Sequence, residues 1–174
     1  MLDQDKKNIL LSAISEINGT IKLIDTKVSI MLAAAGIFFS ALIACRSNVL
    51  KAYYYYSNSG CSKIAFVLFS VLFILLILAF ASFALLTILP RSGKNKSSIW
   101  FFDAKNITIE KYFKRVDNAT EKELMRTLKS ELYSLNQIAH TKILLSKIAL
   151  ILFWASIFTF IMIIIMVGYY YAFI

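Results

Sequence analysis

The chain has 174 residues, with 19 Lys and Arg against 10 Asp and Glu, one His, two Cys and one Pro. Hydrophobic residues make up 59% and charged residues only 17%, whereas soluble domains run near half apolar with about a quarter charged. That balance excludes an ordinary soluble domain and a disordered tail, and the length allows one domain. One His and two Cys fall short of the four ligands of a structural zinc site. What remains is a small basic membrane protein.

Residues 1–27 open the chain with a heptad. Leu10, Ile14, Ile17, Ile21, Ile24, Val28 and Met31 alternate at spacings of four and three, which predicts a helix packed against other helices. Gly19 weakens it by about 1 kcal/mol. Nothing between Asp25 and Val28 stops the helix, so it continues into the first apolar run, 28–45. This flank is too long and too mixed in charge for a signal peptide. The same feature argues against cleavage at Leu42-Ile43-Ala44-Cys45, which otherwise has the look of a lipoprotein box.

Two more uncharged runs follow, at 64–89 and 148–167. About 20 helical residues cross a hydrocarbon core, and backbone in lipid must satisfy its own hydrogen bonds. The expected fold is therefore all-α, with three transmembrane helices and a single membrane domain over 1–174. In the first span Ser29, Ala33, Gly36, Ser40 and Ala44 share a face. Small stripes let helices approach closely, either another copy or the chain's own spans. No charge lies within a span, which argues against an ion pathway.

The connection 46–63 is a loop. In 90–147, Pro90–Ser98 is breaker-rich, Ile99-Trp100-Phe101-Phe102 forms an apolar patch, and a short helix covers 109–116. Thr120-Glu121-Lys122-Glu123 reads as a capping box. From there a helix of about 45 residues runs into the third span, because neither Pro nor Gly interrupts it before Gly168. Its stripe Leu124, Leu128, Leu132, Leu135 and Ala139 should pack on the N-terminal heptad, making a helical bundle outside the membrane.

Cations set the orientation. Four lie in 1–27 and twelve in 90–147, leaving three of the 19 in 46–63. The N-terminus and 90–147 are thus expected in the cytoplasm, with 46–63 and the C-terminus outside. Tyr53–Tyr56 and Tyr169–Tyr171 then fall at the outer interface, where aromatic belts occur.

Candidate chemistry is sparse. His140 stands alone, and a general base needs a positioned partner. Cys45 and Cys61 sit at the outer ends of spans, as a disulfide or as two thiols. There is no phosphate-cradling glycine loop, nucleophile elbow or paired-His motif. The chain is expected to be no enzyme, to carry no metal or cofactor and to bind no nucleic acid. The basic excess either sets topology, or holds anionic lipid headgroups, or binds an anionic ligand. Asp25, Lys27, Arg91, Tyr133, Asn136 and Lys142 are the candidate ligand residues, gathered near the membrane rim. A network among themselves is the simpler alternative.

The ordered pattern resembles the membrane effectors of Pycsar, bacterial anti-phage systems that signal with cyclic pyrimidine mononucleotides. It rests on Leu23-Ile24-Asp25-Thr26-Lys27-Val28-Ser29 entering a span with Ala34-Ala35-Gly36, on Leu89-Pro90-Arg91 and Trp100-Phe101-Phe102, and on Tyr133-Ser134-Leu135-Asn136 with Lys142. The resemblance implies an inner-membrane effector, quiet until a partner cyclase makes cyclic CMP or cyclic UMP. It would then impair the membrane of the infected cell, as a pore or by general disruption. Without a glycine loop, the ligand would have to bind the helical segment itself, in a homo-oligomer. The alternative is a scaffold subunit of a membrane complex.

Overall fold

The computed structural model describes residues 2–56, 60–89, 108, 110, 113–114 and 117–172, and the side chains at all of these except 2, 3 and 61. The described residues are almost wholly helical, in four helices: α1 (Leu2–Ala44), α2 (Arg46–Tyr56), α3 (Gly60–Ile88) and α4 (Glu121–Ala172). Three of them, α1, α3 and α4, are long and apolar enough to cross a membrane. The candidates Pro90, Arg91 and Trp100–Phe102 lie outside the described residues, as does most of the expected short helix at 109–116. The chain forms two compact units. One comprises Met1–Ile24 and Pro90–Ile143, the other Asp25–Leu89 and Leu144–Ile174.

In the first unit, α4 starts where the sequence signals. The Thr120 backbone N–H donates to Glu123 Oε2 at 3.1 Å, and the Glu123 N–H donates to Thr120 Oγ1 at 3.4 Å. Two otherwise orphaned donors of the first turn are thereby satisfied. Thr120→Ala should cost about 1 kcal/mol of first-turn stability, seen as faster amide exchange over residues 121–124. The stripe along α4 faces inward: Leu128 and Ala139 are buried, and Leu124, Leu132 and Leu135 are half-buried. In α1, Leu10, Ile14, Ile17 and Ile21 are half-buried and Ile24 is buried, while Ile9, Leu11 and Leu23 off the stripe are exposed.

The second unit holds the apolar helices. α3 buries Phe66, Phe73, Ile77, Phe80, Ala84 and Thr87. From Phe73 onward these positions follow the alternating four-and-three spacing of coiled-coil packing, and Phe66 lies one heptad earlier. Five rings knit the helices together. Phe73 lies 5.7 Å from Phe160, Phe160 lies 5.4 Å from Phe38, Phe38 lies 6.4 Å from Phe153, and Phe153 lies 5.3 Å from Phe80. This ladder joins α1, α3 and α4 through tilted contacts, each worth about 0.5–1.5 kcal/mol. The hydroxyls buried beside it bond within their own helices: Thr87 Oγ1 donates to the Phe83 carbonyl at 2.8 Å and Ser156 Oγ to the Phe153 carbonyl at 2.7 Å. The outward faces are as apolar as the interior, with Ile37, Leu75, Leu78, Ile151, Trp154 and Phe158 exposed. That distribution suits lipid, where a helix gains nothing by hiding its apolar side chains.

The connection 46–63, read as a loop, contains α2. One residue separates it from α1, and the Cys45 carbonyl accepts from the Asn48 and Val49 N–H groups at 3.0 and 3.1 Å. Two tyrosines fasten α2 to the end of α4. Tyr56 Oη donates to the Met166 carbonyl at 2.9 Å, and Tyr171 Oη donates to Asn48 Oδ1 at 2.7 Å. Burial, followed by the nearby Tyr55 and Tyr169 phenols, raises the Tyr56 pKa above its ordinary value. It therefore stays protonated, as a donor.

Candidate functional site

The sequence-predicted ligand residues divide between the two units. Asp25 and Lys27 belong to the second, half-buried and exposed respectively. The Asp25 backbone carbonyl accepts from Ser29 Oγ at 2.8 Å. Tyr133, Asn136 and Lys142 belong to the first unit, and Arg91 lies outside the described residues.

The three residues on α4 do not form one patch. Lys142 comes about two and a half turns after Tyr133 at 3.6 residues per turn, which puts it on the opposite face. Its exposure is 3%, against 58% for Tyr133. Tyr133 and Asn136 share the outward side. Gln137 Nε2 donates to Tyr133 Oη at 2.9 Å, and Asn136 Nδ2 donates to the Leu132 carbonyl at 3.1 Å.

These two belong to a longer row that the sequence reading did not pick out. Lys122, Arg126, Lys129, Tyr133, Asn136 and His140 are all exposed and succeed one another at spacings of four and three, so they share one helix face. The signal was present as the polar complement of the Leu124–Ala139 stripe. The row offers three cations for a phosphate, a phenol ring on which a base can stack, and an amide and an imidazole for a base edge. No carboxylate occupies a position in it. Contacts this exposed are individually weak and salt-screened, so tight binding needs a second surface to exclude water.

Glu131 lies half-buried on the same helix, and burial raises its carboxyl pKa. A raised folded-state pKa means that the fold favours the protonated acid, so this contribution is present at low pH and lost as pH rises through the folded value. Glu131→Gln should therefore remove a fall in stability above pH 4.5, the ordinary value, when melting is followed from pH 4 to pH 7.

The stripe Ser29, Ala33, Gly36, Ser40 and Ala44 is exposed along its length. A Cβ built at Gly36 meets nothing within 4 Å. The face of α1 that packs inside the unit is instead that of Val28, Ala35 and Phe38. Cys45 is exposed and is not in a disulfide. Among the described residues no group of His, Cys, Asp and Glu is arranged to hold a metal ion.

No curated protein and no solved structure matches the chain. The sequence model PycTM, the Pycsar effector protein domain, matches residues 9–169. That range takes in all three apolar runs, 28–45, 64–89 and 148–167, and the α4 row, and it bears out the resemblance drawn from the motifs. The chain thus belongs to the Pycsar effector transmembrane family and is a multi-pass membrane effector of anti-phage defence.

Proposed function

We propose that the protein is a non-enzymatic effector switched by a cyclic pyrimidine mononucleotide, cyclic CMP or cyclic UMP, from a partner cyclase. It sits in the bacterial inner membrane with the N-terminus and residues 90–147 in the cytoplasm and the C-terminus outside. Once ligated, it impairs that membrane and stops the growth of the infected cell. The observation that carries this reading is the family match over residues 9–169, because the matched domain includes most of the first unit as well as the apolar runs.

The α4 row supports a ligand site in the first unit. An anion placed between cations of adjacent protomers lowers their repulsion, and exclusion of water strengthens the contact. A ligand shifts an equilibrium only by its differential affinity for two states, and a site completed by a second protomer supplies that difference. The exposed small stripe of α1 offers the membrane contact for such an oligomer.

Uptake of an impermeant dye tests the switch, in cells expressing the chain with or without co-expressed cyclase. Leakage should appear only with the nucleotide. Arg126→Ala/Lys129→Ala should raise the nucleotide level needed by roughly tenfold or more, taking about 1.5–3 kcal/mol for a charged hydrogen bond. Equal leakage with and without nucleotide, in wild type and variant alike, defeats the reading.

A further inference from the structure

We propose that the outward face of α2 binds the phosphate headgroups of an anionic phospholipid leaflet. The helix has two chemically different sides. Ala52 and Tyr56 are buried, Asn48, Val49 and Tyr53 are half-buried, and Asn48 and Tyr56 bond to α4. On the other side two i, i+4 rows lie next to each other, Arg46–Leu50–Tyr54 and Ser47–Lys51–Tyr55, and all six residues are exposed, although the Tyr55 ring, at the edge of the face, also meets Tyr170 of α4 at 5.3 Å. Leu50 and Tyr54 expose 54% and 70% of their surface, which sets an apolar and an amphipathic side chain beside the two cations of this face.

Position and charge name the occupant. α2 follows α1 after one residue and is fastened to the end of α4, so it joins two helices that cross the bilayer and lies where they leave it. The face then meets the headgroup layer. Arg46 and Lys51 are the two cations of the exposed face. No Asp or Glu occurs anywhere from residue 26 to residue 102. The cations are therefore not neutralised by a neighbouring carboxylate in the sequence, and lipid phosphate is the complementary partner. Phenol rings suit the boundary between phosphate and acyl chain, and Leu50 suits the layer just below it. A cation near such a surface is worth on the order of a fivefold gain in binding. The inference concerns the lipid and does not depend on the nucleotide switch.

The test uses the full chain in vesicles of phosphatidylcholine containing a minor fraction of either phosphatidylglycerol or phosphatidylcholine with a photoreactive headgroup. Crosslinks are mapped by peptide mass spectrometry. The phosphatidylglycerol probe should label residues 46–56 several-fold more than the phosphatidylcholine probe, and added salt should erase the preference. Arg46→Gln/Lys51→Gln should bring that labelling down to the level of the phosphatidylcholine probe, a several-fold loss, whereas Arg46→Lys/Lys51→Arg should retain it. Labelling near Lys27 and Lys147, at the other ends of the spans, is the internal control and should not change. If the neutral variant misfolds, the salt dependence and the probe preference of wild type still decide. Equal labelling by the two probes, or capture of another protein by the α2 face in place of lipid, overturns the proposal.

Discussion

Phe80→Ala should destabilise the membrane unit by about 2–4 kcal/mol. Phe80 is fully buried, and its ring lies 5.3 Å from that of Phe153, which in turn contacts Phe38. In a water-soluble core, Phe→Ala costs about 3–5 kcal/mol, part of which is transfer of the side chain from water. Here that part is small, because the separated helices still lie in lipid. The void remains. Removing about 100 Å3 at about 24 cal/mol per Å3 gives roughly 2.4 kcal/mol, and the lost ring contact adds about 0.5–1.5 kcal/mol. Unfolding in bicelles measures the sum. Leu78→Ala, on the exposed side of the same helix, should change stability by less than about 0.5 kcal/mol. Equal effects at the two positions would show that the ladder does not hold the bundle.

Much of this architecture was legible in the sequence because its signals are local. Charge-free runs long enough to span a bilayer can hardly be mistaken, and Thr120 and Glu123 announce a helix start whose reciprocal bonds form within four residues. The inward stripe from Leu124 to Ala139 is periodicity alone. α2 was not legible, since a Tyr53–Tyr56 run has no apolar period to read. Its position depends on partners far along the chain, Tyr56 with Met166 and Asn48 with Tyr171. The phenylalanine ladder is hidden for the same reason: runs that are apolar all round do not say which side faces a neighbour. The ligand candidates illustrate a different gap. Tyr133, Asn136 and Lys142 lie at a similar depth along one helix, and depth suggested a cluster, but helical phase turns Lys142 inward and leaves the other two outside. Counting phase as well as depth would have gathered Lys122, Arg126 and Lys129 with Tyr133 instead.

Gly36→Leu should abolish growth arrest while leaving the folded chain intact. A Cβ at this position has no neighbour within 4 Å, so the added side chain strains nothing inside the protomer. Leu is also the better helix former, by up to about 1 kcal/mol. The purified variant should melt at or above the wild-type temperature. In the proposed oligomer the cost falls on association. Ser29, Ala33, Ser40 and Ala44 flank Gly36 on the exposed face, and the Ser29 and Ser40 hydroxyls are already bonded to the carbonyls of Asp25 and Gly36. The stripe therefore offers a partner close backbone approach more than hydrogen bonds, and four extra carbons in its middle prevent that approach. A loss of about 1.4 kcal/mol per contact is already tenfold in association, and in a ring the loss recurs at every interface. Dye leakage with the cyclase present should fall at least about tenfold, together with the crosslinked oligomer. Ile37→Leu, equally exposed but beside the stripe, should leak like wild type. A Gly36→Leu protein that still arrests growth would move the protomer contact off α1, and the exposed ridge of Ile151, Trp154 and Phe158 on α4 would be the next face to block.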